Sequence, residues 1–289
     1  MKKLLSSLLE KRNLLILGFG KEGQSTFRFI IEQFPGLAIS IADHDIHLAE
    51  KVSDVFDHPG VKLHLGPDYL DCLEKYQLII KSPGVGLPEG LKLSPGAILT
   101  SQTRLMLKAY HRQIIGITGT KGKSTTTSLT HHLLQTSGLS AILVGNIGRP
   151  PFDYIDQIGP ATRIVYEMSS HQLEDVMISP HIAVLLNLYP EHLDRYPSLE
   201  AYYNAKMRIL AGQQSGDTFI YNEDIPGITL RINSISTKRK FLSFSAGYRM
   251  NDGCYLAGEQ IILCQDGTES GFIRVTGDFP LKGNHNRMN

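Results

Sequence analysis

Between Leu14 and about Tyr110 the chain alternates short apolar runs with amphipathic stretches. The runs Leu14–Leu17, Ala38–Ala42, Leu78–Lys81 and Ala97–Thr100 predict strands, and Glu22–Phe34, Ile46–Phe56 and Gln102–Tyr110 predict helices. Such alternation predicts a parallel sheet flanked by helices, with right-handed crossovers. A second unit of this kind begins near Arg112. Its predicted strands are Gln113–Ile117, Ala141–Gly145, Arg163–Glu167 and Ile182–Leu186, and its helices include Ser124–Thr136 and Leu199–Leu210. After Asp217 the runs shorten and are separated by turn signals at Asn251-Asp252-Gly253 and Asp266-Gly267. That change predicts a small antiparallel subsheet, with Cys254–Ala257 paired to Gln260–Cys264. The expected fold class is α/β, in two domains covering residues 1–110 and 111–289.

Composition narrows the function classes. With 289 residues, 42% hydrophobic and 20% charged, the chain fits a two-domain globular protein. A net charge of +1 offers no general surface for a polyanion, so nucleic acid is not an expected partner. The three cysteines, Cys72, Cys254 and Cys264, lack zinc-site spacing and are expected to be reduced thiols. The N-terminal MKKLLSSLLEKRN has too short an apolar stretch for a secretory signal, and no run is long enough to span a bilayer. A cytoplasmic location is therefore expected.

Two glycine-rich turns carry chemistry. Gly119-Thr120-Lys121-Gly122-Lys123-Ser124-Thr125 follows a predicted strand and opens a predicted helix. There, backbone N–H groups and the helix N-terminus favour phosphate, Lys123 can reach the β- and γ-phosphates, and the Ser124 hydroxyl can ligate Mg²⁺. Position 117 is Ile, so the usual four-residue spacing before the Gly-Lys pair is not met and the loop is a variant. The other turn, Gly18-Phe19-Gly20-Lys21-Glu22-Gly23, is a complete G-x-G-x-x-G, with Asp43 twenty residues past Gly23. It predicts a Rossmann-like first domain binding a nucleotide diphosphate at the sheet switch point. The pattern alone does not choose between a dinucleotide, which would make an oxidoreductase, and a UDP-sugar.

Further clusters occur in a fixed order: Gly145-Asn146-Ile147-Gly148, Glu167-Met168-Ser169-Ser170-His171-Gln172-Leu173, Asn187-Leu188-Tyr189-Pro190-Glu191-His192-Leu193-Asp194-Arg195-Tyr196, Tyr202-Tyr203-Asn204-Ala205-Lys206 and Leu281-Lys282-Gly283-Asn284-His285-Asn286. Together with the phosphate loop they closely resemble the ATP-dependent Mur ligases of peptidoglycan synthesis, from about Leu14 to Asn289. The Rossmann-like glycine turn and the Glu-x-Ser-Ser-x-Gln-Leu segment are closest to the D-glutamate-adding branch of that family.

The resemblance implies ATP and Mg²⁺ as cofactors, and UDP-N-acetylmuramoyl-L-alanine and D-glutamate as substrates. It implies catalytic roles for Lys123, Glu167, His192 and Lys206. Gly119, Thr120, Lys121, Gly122, Lys123, Ser124 and Thr125 would hold the phosphates, and Asn286 and Asn289 would approach adenosine. Ser124, Glu167, His192 and Lys206, the last as a carbamate, would hold metal; imidazole is an unusual Mg²⁺ ligand. Gly18, Gly20, Lys21, Glu22, Gly23, Asp43, His44, Ser82, Pro83 and Gly84 would receive uridine diphosphate, and Asn146 the muramoyl or alanyl part. The family pattern often has Asn at the place of Lys121, Asp at Glu191, Thr or Ser at His44, and neutral residues at Lys21 and Glu22. It also includes a third, C-terminal Rossmann-like domain, and the chain ends before it, so substrate binding without ligation is expected of the chain alone.

Overall fold

The structure is a computed structural model that describes residues 1–52, 58, 60–88, 90–191, 194–233 and 240–274. It divides into two compact units, the first comprising Met1–Ala109 with Arg149–Ile158, the second Tyr110–Gly148 with Gly159–Asn289.

The first unit is built on a parallel sheet ordered β3-β2-β1-β4-β5. Its strands are β1 (Leu14–Leu17), β2 (Ile39–Asp43), β3 (Val61–Leu65), β4 (Leu78–Lys81) and β5 (Ile98–Thr100). Every residue of β1, β2 and β4 is buried, as central parallel strands covered on both faces require. Leu15, Leu17, Ala42, Leu73 and Ile79 form the centre of one core layer. The helices are α1 (Lys2–Leu9), α2 (Lys21–Gln33), the short α3 (Leu48–Lys51) and α4 (Gln102–Tyr110). In α1, Leu5 and Leu9 are buried, so the N-terminal stretch is an amphipathic packing helix. The helix expected over Ile46–Phe56 is seen as α3, and Ser53–Phe56 lie outside the described residues. Arg149–Ile158, a segment that the sequence pattern alone allots to the second domain, packs here: the Phe29 and Phe152 ring centroids are 5.0 Å apart, and Arg28 pairs with Asp153 at 3.3 Å.

The second unit holds a nine-stranded sheet ordered β14-β13-β12-β11-β10-β9-β6-β8-β7. Its elements run β6 (Ile114–Thr118), α5 (Lys123–Thr136), β7 (Ala141–Gly145), β8 (Arg163–Glu167), α6 (Ser170–Leu173), β9 (Ile182–Leu185), α7 (Leu199–Ala211), β10 (Thr218–Asn222), α8 (Pro226–Asn233), β11 (Lys240–Ser245), β12 (Gly253–Ala257), β13 (Gln260–Gln265) and β14 (Thr268–Arg274). The expected hairpin is present as β12–β13. It does not stand apart as a subsheet, because β12 also pairs in parallel with β11 and extends the main sheet. No helix among the described residues is long and apolar enough to cross a membrane.

Candidate phosphate and substrate sites

In the second unit β6 lies between β8 and β9, all three parallel. Their C-terminal ends are therefore adjacent, the position where open α/β sheets receive ligands. The segments leaving those ends are the phosphate loop after β6, Glu167 at the end of β8 and Asn187–Glu191 beyond β9. Helix α7 adds Lys206.

The loop conformation needs its glycines. Gly119 has φ +156°, and a Cβ there would meet the Leu186 Cβ at 3.0 Å. Gly122 is left-handed at φ +81° and caps α5 without a side chain. No cap side chain therefore competes for the first-turn N–H groups of α5 among the described residues, as an anion site requires. The Lys123 ammonium donates to the Thr120 carbonyl at 2.9 Å. Burial lowers its pKa, partly offset by the negative charges of Glu167 and Glu191.

Glu167 is fully buried, and its Oε1 accepts from the Asn146 amide at 3.0 Å. Its Oε2 has no hydrogen-bond partner among the described residues. A buried carboxylate oxygen left unsatisfied is costly and points to a cation. Oxygen from Glu167 and the exposed Ser124 hydroxyl suits Mg²⁺. Asn146, implied as a muramoyl contact, here positions Glu167.

Lys206 is 2% exposed, donates to the Gly119 carbonyl at 2.8 Å, and sits 4.8 Å from the Tyr202 ring centre. Burial, aided by the positive charge of Lys123, pushes its pKa down to about 7. An ammonium at this place would oppose a metal, whereas a neutral amine can take up CO₂ as a carbamate.

Asn187 appeared in a sequence cluster without a role. Its Oδ1 accepts from the Thr120 and Lys121 amides at 3.0 and 2.9 Å, and its Nδ2 donates to the Lys121 carbonyl at 3.0 Å. Lys121 also pairs with Glu191. Residues His192, Asn286 and Asn289 lie outside the described residues.

In the first unit the turn after β1 collects most of its expected residues. Gly18 adopts φ +83°, its N–H donates to the Ala42 carbonyl at 2.8 Å, and its carbonyl accepts from Ser82 Oγ at 2.8 Å. A Cβ on Gly23 would lie 2.1 Å from the Gly18 oxygen, so this glycine sets helix-to-strand packing. Asp43 is 8% exposed; its Oδ2 accepts from the Phe19 amide at 2.6 Å and its Oδ1 from the Asp45 amide at 2.9 Å. The Asp43 carboxylate thus holds the turn. His44 lies 3.1 Å from Asp43 with an exposed ring, and Lys21 and Gly84 are exposed while Glu22 and Pro83 are half-buried. Gly20 has open space around it.

A largely parallel sheet with a Gly-Lys-Ser loop at its C-terminal edge, a buried acid and a desolvated lysine is the layout of a phosphate-binding α/β domain. Residues 117–289 match the model of the Mur ligase middle domain, and residues 12–92 that of the MurD-like Mur ligase N-terminal domain. The chain belongs to the Mur ligase family. It is similar to UDP-N-acetylmuramoylalanine--D-glutamate ligase of Clostridium novyi, 31% identical over 97% of this chain and 60% of that protein. The same-named protein of Ruminiclostridium cellulolyticum is 30% identical, with the same coverage. The chain thus spans about 60% of the length of the curated relatives it matches. Among solved structures, the Neisseria meningitides UDP-N-acetylmuramate:L-alanyl-gamma-D-glutamyl-meso-diaminopimelate ligase superposes with a TM-score of 0.58 at 18% identity, over 96% of this chain and 90% of that one. A Psychrobacter arcticus murein peptide ligase gives 0.55 at 15%, over 96% of this chain and 63% of that one, and both likenesses concern the fold.

Proposed function

We propose that this chain carries the UDP-substrate and ATP-binding portions of a UDP-N-acetylmuramoyl-L-alanine:D-glutamate ligase. The observation that carries this reading is the grouping of Lys123, the half-satisfied Glu167 carboxylate and the desolvated Lys206 around one phosphate loop. The curated relatives supply the substrate identity. In the reaction, the alanyl carboxylate attacks the γ-phosphorus of ATP, forming an acyl phosphate and releasing ADP. The amine of D-glutamate then displaces phosphate to form the amide. Both steps concentrate negative charge, so fixed cations and positioning supply most of the acceleration.

Lys123 and the N-terminus of α5 hold the triphosphate. Ser124 and Glu167 would hold Mg²⁺, with His192 at a second metal; when bound, the ions neutralise phosphate charge. Asn146 orients Glu167. Lys206, neutral in part at physiological pH, takes up CO₂ and loses a proton to become the carboxylate that a metal site requires. In the first unit, the turn at Gly18–Gly23 with Asp43, His44 and Ser82-Pro83-Gly84 receives the uridine diphosphate. The protein works in the cytoplasm, where its nucleotide substrates are made.

Calorimetric titration of the chain with MgATP and with UDP-N-acetylmuramoyl-L-alanine tests this reading. Lys123→Ala should weaken ATP by about tenfold to a hundredfold, the value of a charge-assisted hydrogen bond, and leave the UDP substrate unaffected. Binding of the UDP substrate with no response to ATP would favour a non-catalytic UDP-sugar module.

A further inference from the structure

The first half of the phosphate loop is already occupied by protein. Successive N–H groups aimed at one point form a concavity suited to an anion. In this loop the N–H groups of Thr120 and Lys121 converge on the Oδ1 of Asn187, at 3.0 and 2.9 Å. The same carboxamide returns a hydrogen bond from Nδ2 to the Lys121 carbonyl, and the Asn187 carbonyl lies 3.2 Å from the Thr120 nitrogen. Thr120 is held further, since its hydroxyl accepts from the Tyr189 amide at 3.0 Å. A neutral side-chain oxygen thus stands where a phosphate oxygen would otherwise be received.

We propose that Asn187 is a positioning residue that braces the phosphate loop from the neighbouring strand and confines phosphate contact to the second half, the amides of Lys123, Ser124 and Thr125. The proposal rests on the reading of this loop as an ATP site. It also gives a reason for the residue type. An aspartate would accept both N–H groups, but it would lose the Nδ2 donor and set a negative charge beside the incoming triphosphate. An alanine would release the loop and add no charge. Asn alone of the three fixes the loop in advance of binding without repelling the ligand, which is preorganisation in the sense that matters for polyphosphate.

Amide hydrogen exchange on the 289-residue chain, with and without MgATP, reads the proposal directly. The Thr120 and Lys121 amides should be protected without nucleotide and unchanged by it, while those of Lys123, Ser124 and Thr125 gain protection. Rapid exchange at Thr120 and Lys121 in the free chain, followed by protection on ATP addition, would overturn it. Asn187→Asp should keep much of the Thr120 and Lys121 protection yet weaken ATP by about tenfold or more, and by more than Asn187→Ala does. A merely structural residue would give the reverse order, with the variant that loses protection also losing more affinity. Equal ATP affinity in all three proteins sinks the role of Asn187 alone, whereas a wild-type chain silent to ATP sinks the ATP reading and this inference with it.

Discussion

The corners β1–α2 and β6–α5 share one plan, a parallel strand, a glycine-rich turn and a helix, yet they differ in charge. In each, a side chain from the end of the neighbouring strand takes the first turn amides. At β1–α2 that acceptor is the buried carboxylate of Asp43, holding the Phe19 amide. At β6–α5 it is the neutral carboxamide of Asn187, holding Thr120 and Lys121. Around the second corner, two lysines are anchored to loop carbonyls and one buried carboxylate oxygen lacks a hydrogen-bond partner among the described residues. Around the first, Gly18 and Gly23 serve close packing, and Lys21 at the helix start is exposed. A glycine pattern therefore marks a tight turn at both corners, and the two differ in the charge gathered around that turn.

Substitutions can break this contrast at each corner. The largest effect is expected at Gly23, where a Cβ would strike the Gly18 oxygen. Gly23→Ala should cost about 3 kcal/mol in urea denaturation, and Gly20→Ser, at a helix cap with open space, under about 0.5 kcal/mol. An intermediate effect is expected at Lys206. Burial lowers its folded pKa to about 7, so the unfolded chain binds more protons from there up to the ordinary lysine range. Stability in CO₂-free buffer should thus rise with pH across that window, by a few kcal/mol at most. Lys206→Met should remove the rise, and a slope that persists in that variant would contradict the assignment. The smallest effect belongs to Lys121, whose pair with Glu191 is largely exposed. Lys121→Ala should change stability by less than about 1 kcal/mol and ATP affinity by only a few-fold.

Much of this was legible in the chain. Leu14–Leu17, Leu78–Lys81, Ala141–Gly145 and Arg163–Glu167 stand as strands at the predicted bounds, because uninterrupted apolar runs between turn residues have one stable use in a parallel sheet. Val61–Leu65 and Lys240–Ser245 escaped because they are largely half-buried strands of mixed polarity. The return of Arg149–Ile158 to the first unit depends on contacts such as Phe29 with Phe152, which no local pattern records. The site divides the same way. Lys123 and Glu167 announce themselves through their neighbours in sequence, and desolvation of Lys206 could be read only once Gly119 was placed against it. Asn187 follows a strand like many other residues; its role arises from the pairing of β9 with β6, a matter of topology. Asp43 was visible at the right spacing, and its bond to the Phe19 amide follows from the pairing of β1 with β2.

The central claim is that the β6–α5 corner, and not the β1–α2 corner, receives the triphosphate of ATP. Backbone NMR of the isotopically labelled chain titrated with MgATP tests it most directly. The account predicts saturable shifts centred on Lys123–Thr125 and on the backbone beside Glu167, with Gly18–Gly23 unmoved. Shifts confined to Gly18–Gly23, or saturation that leaves Lys123–Thr125 unchanged, would contradict it.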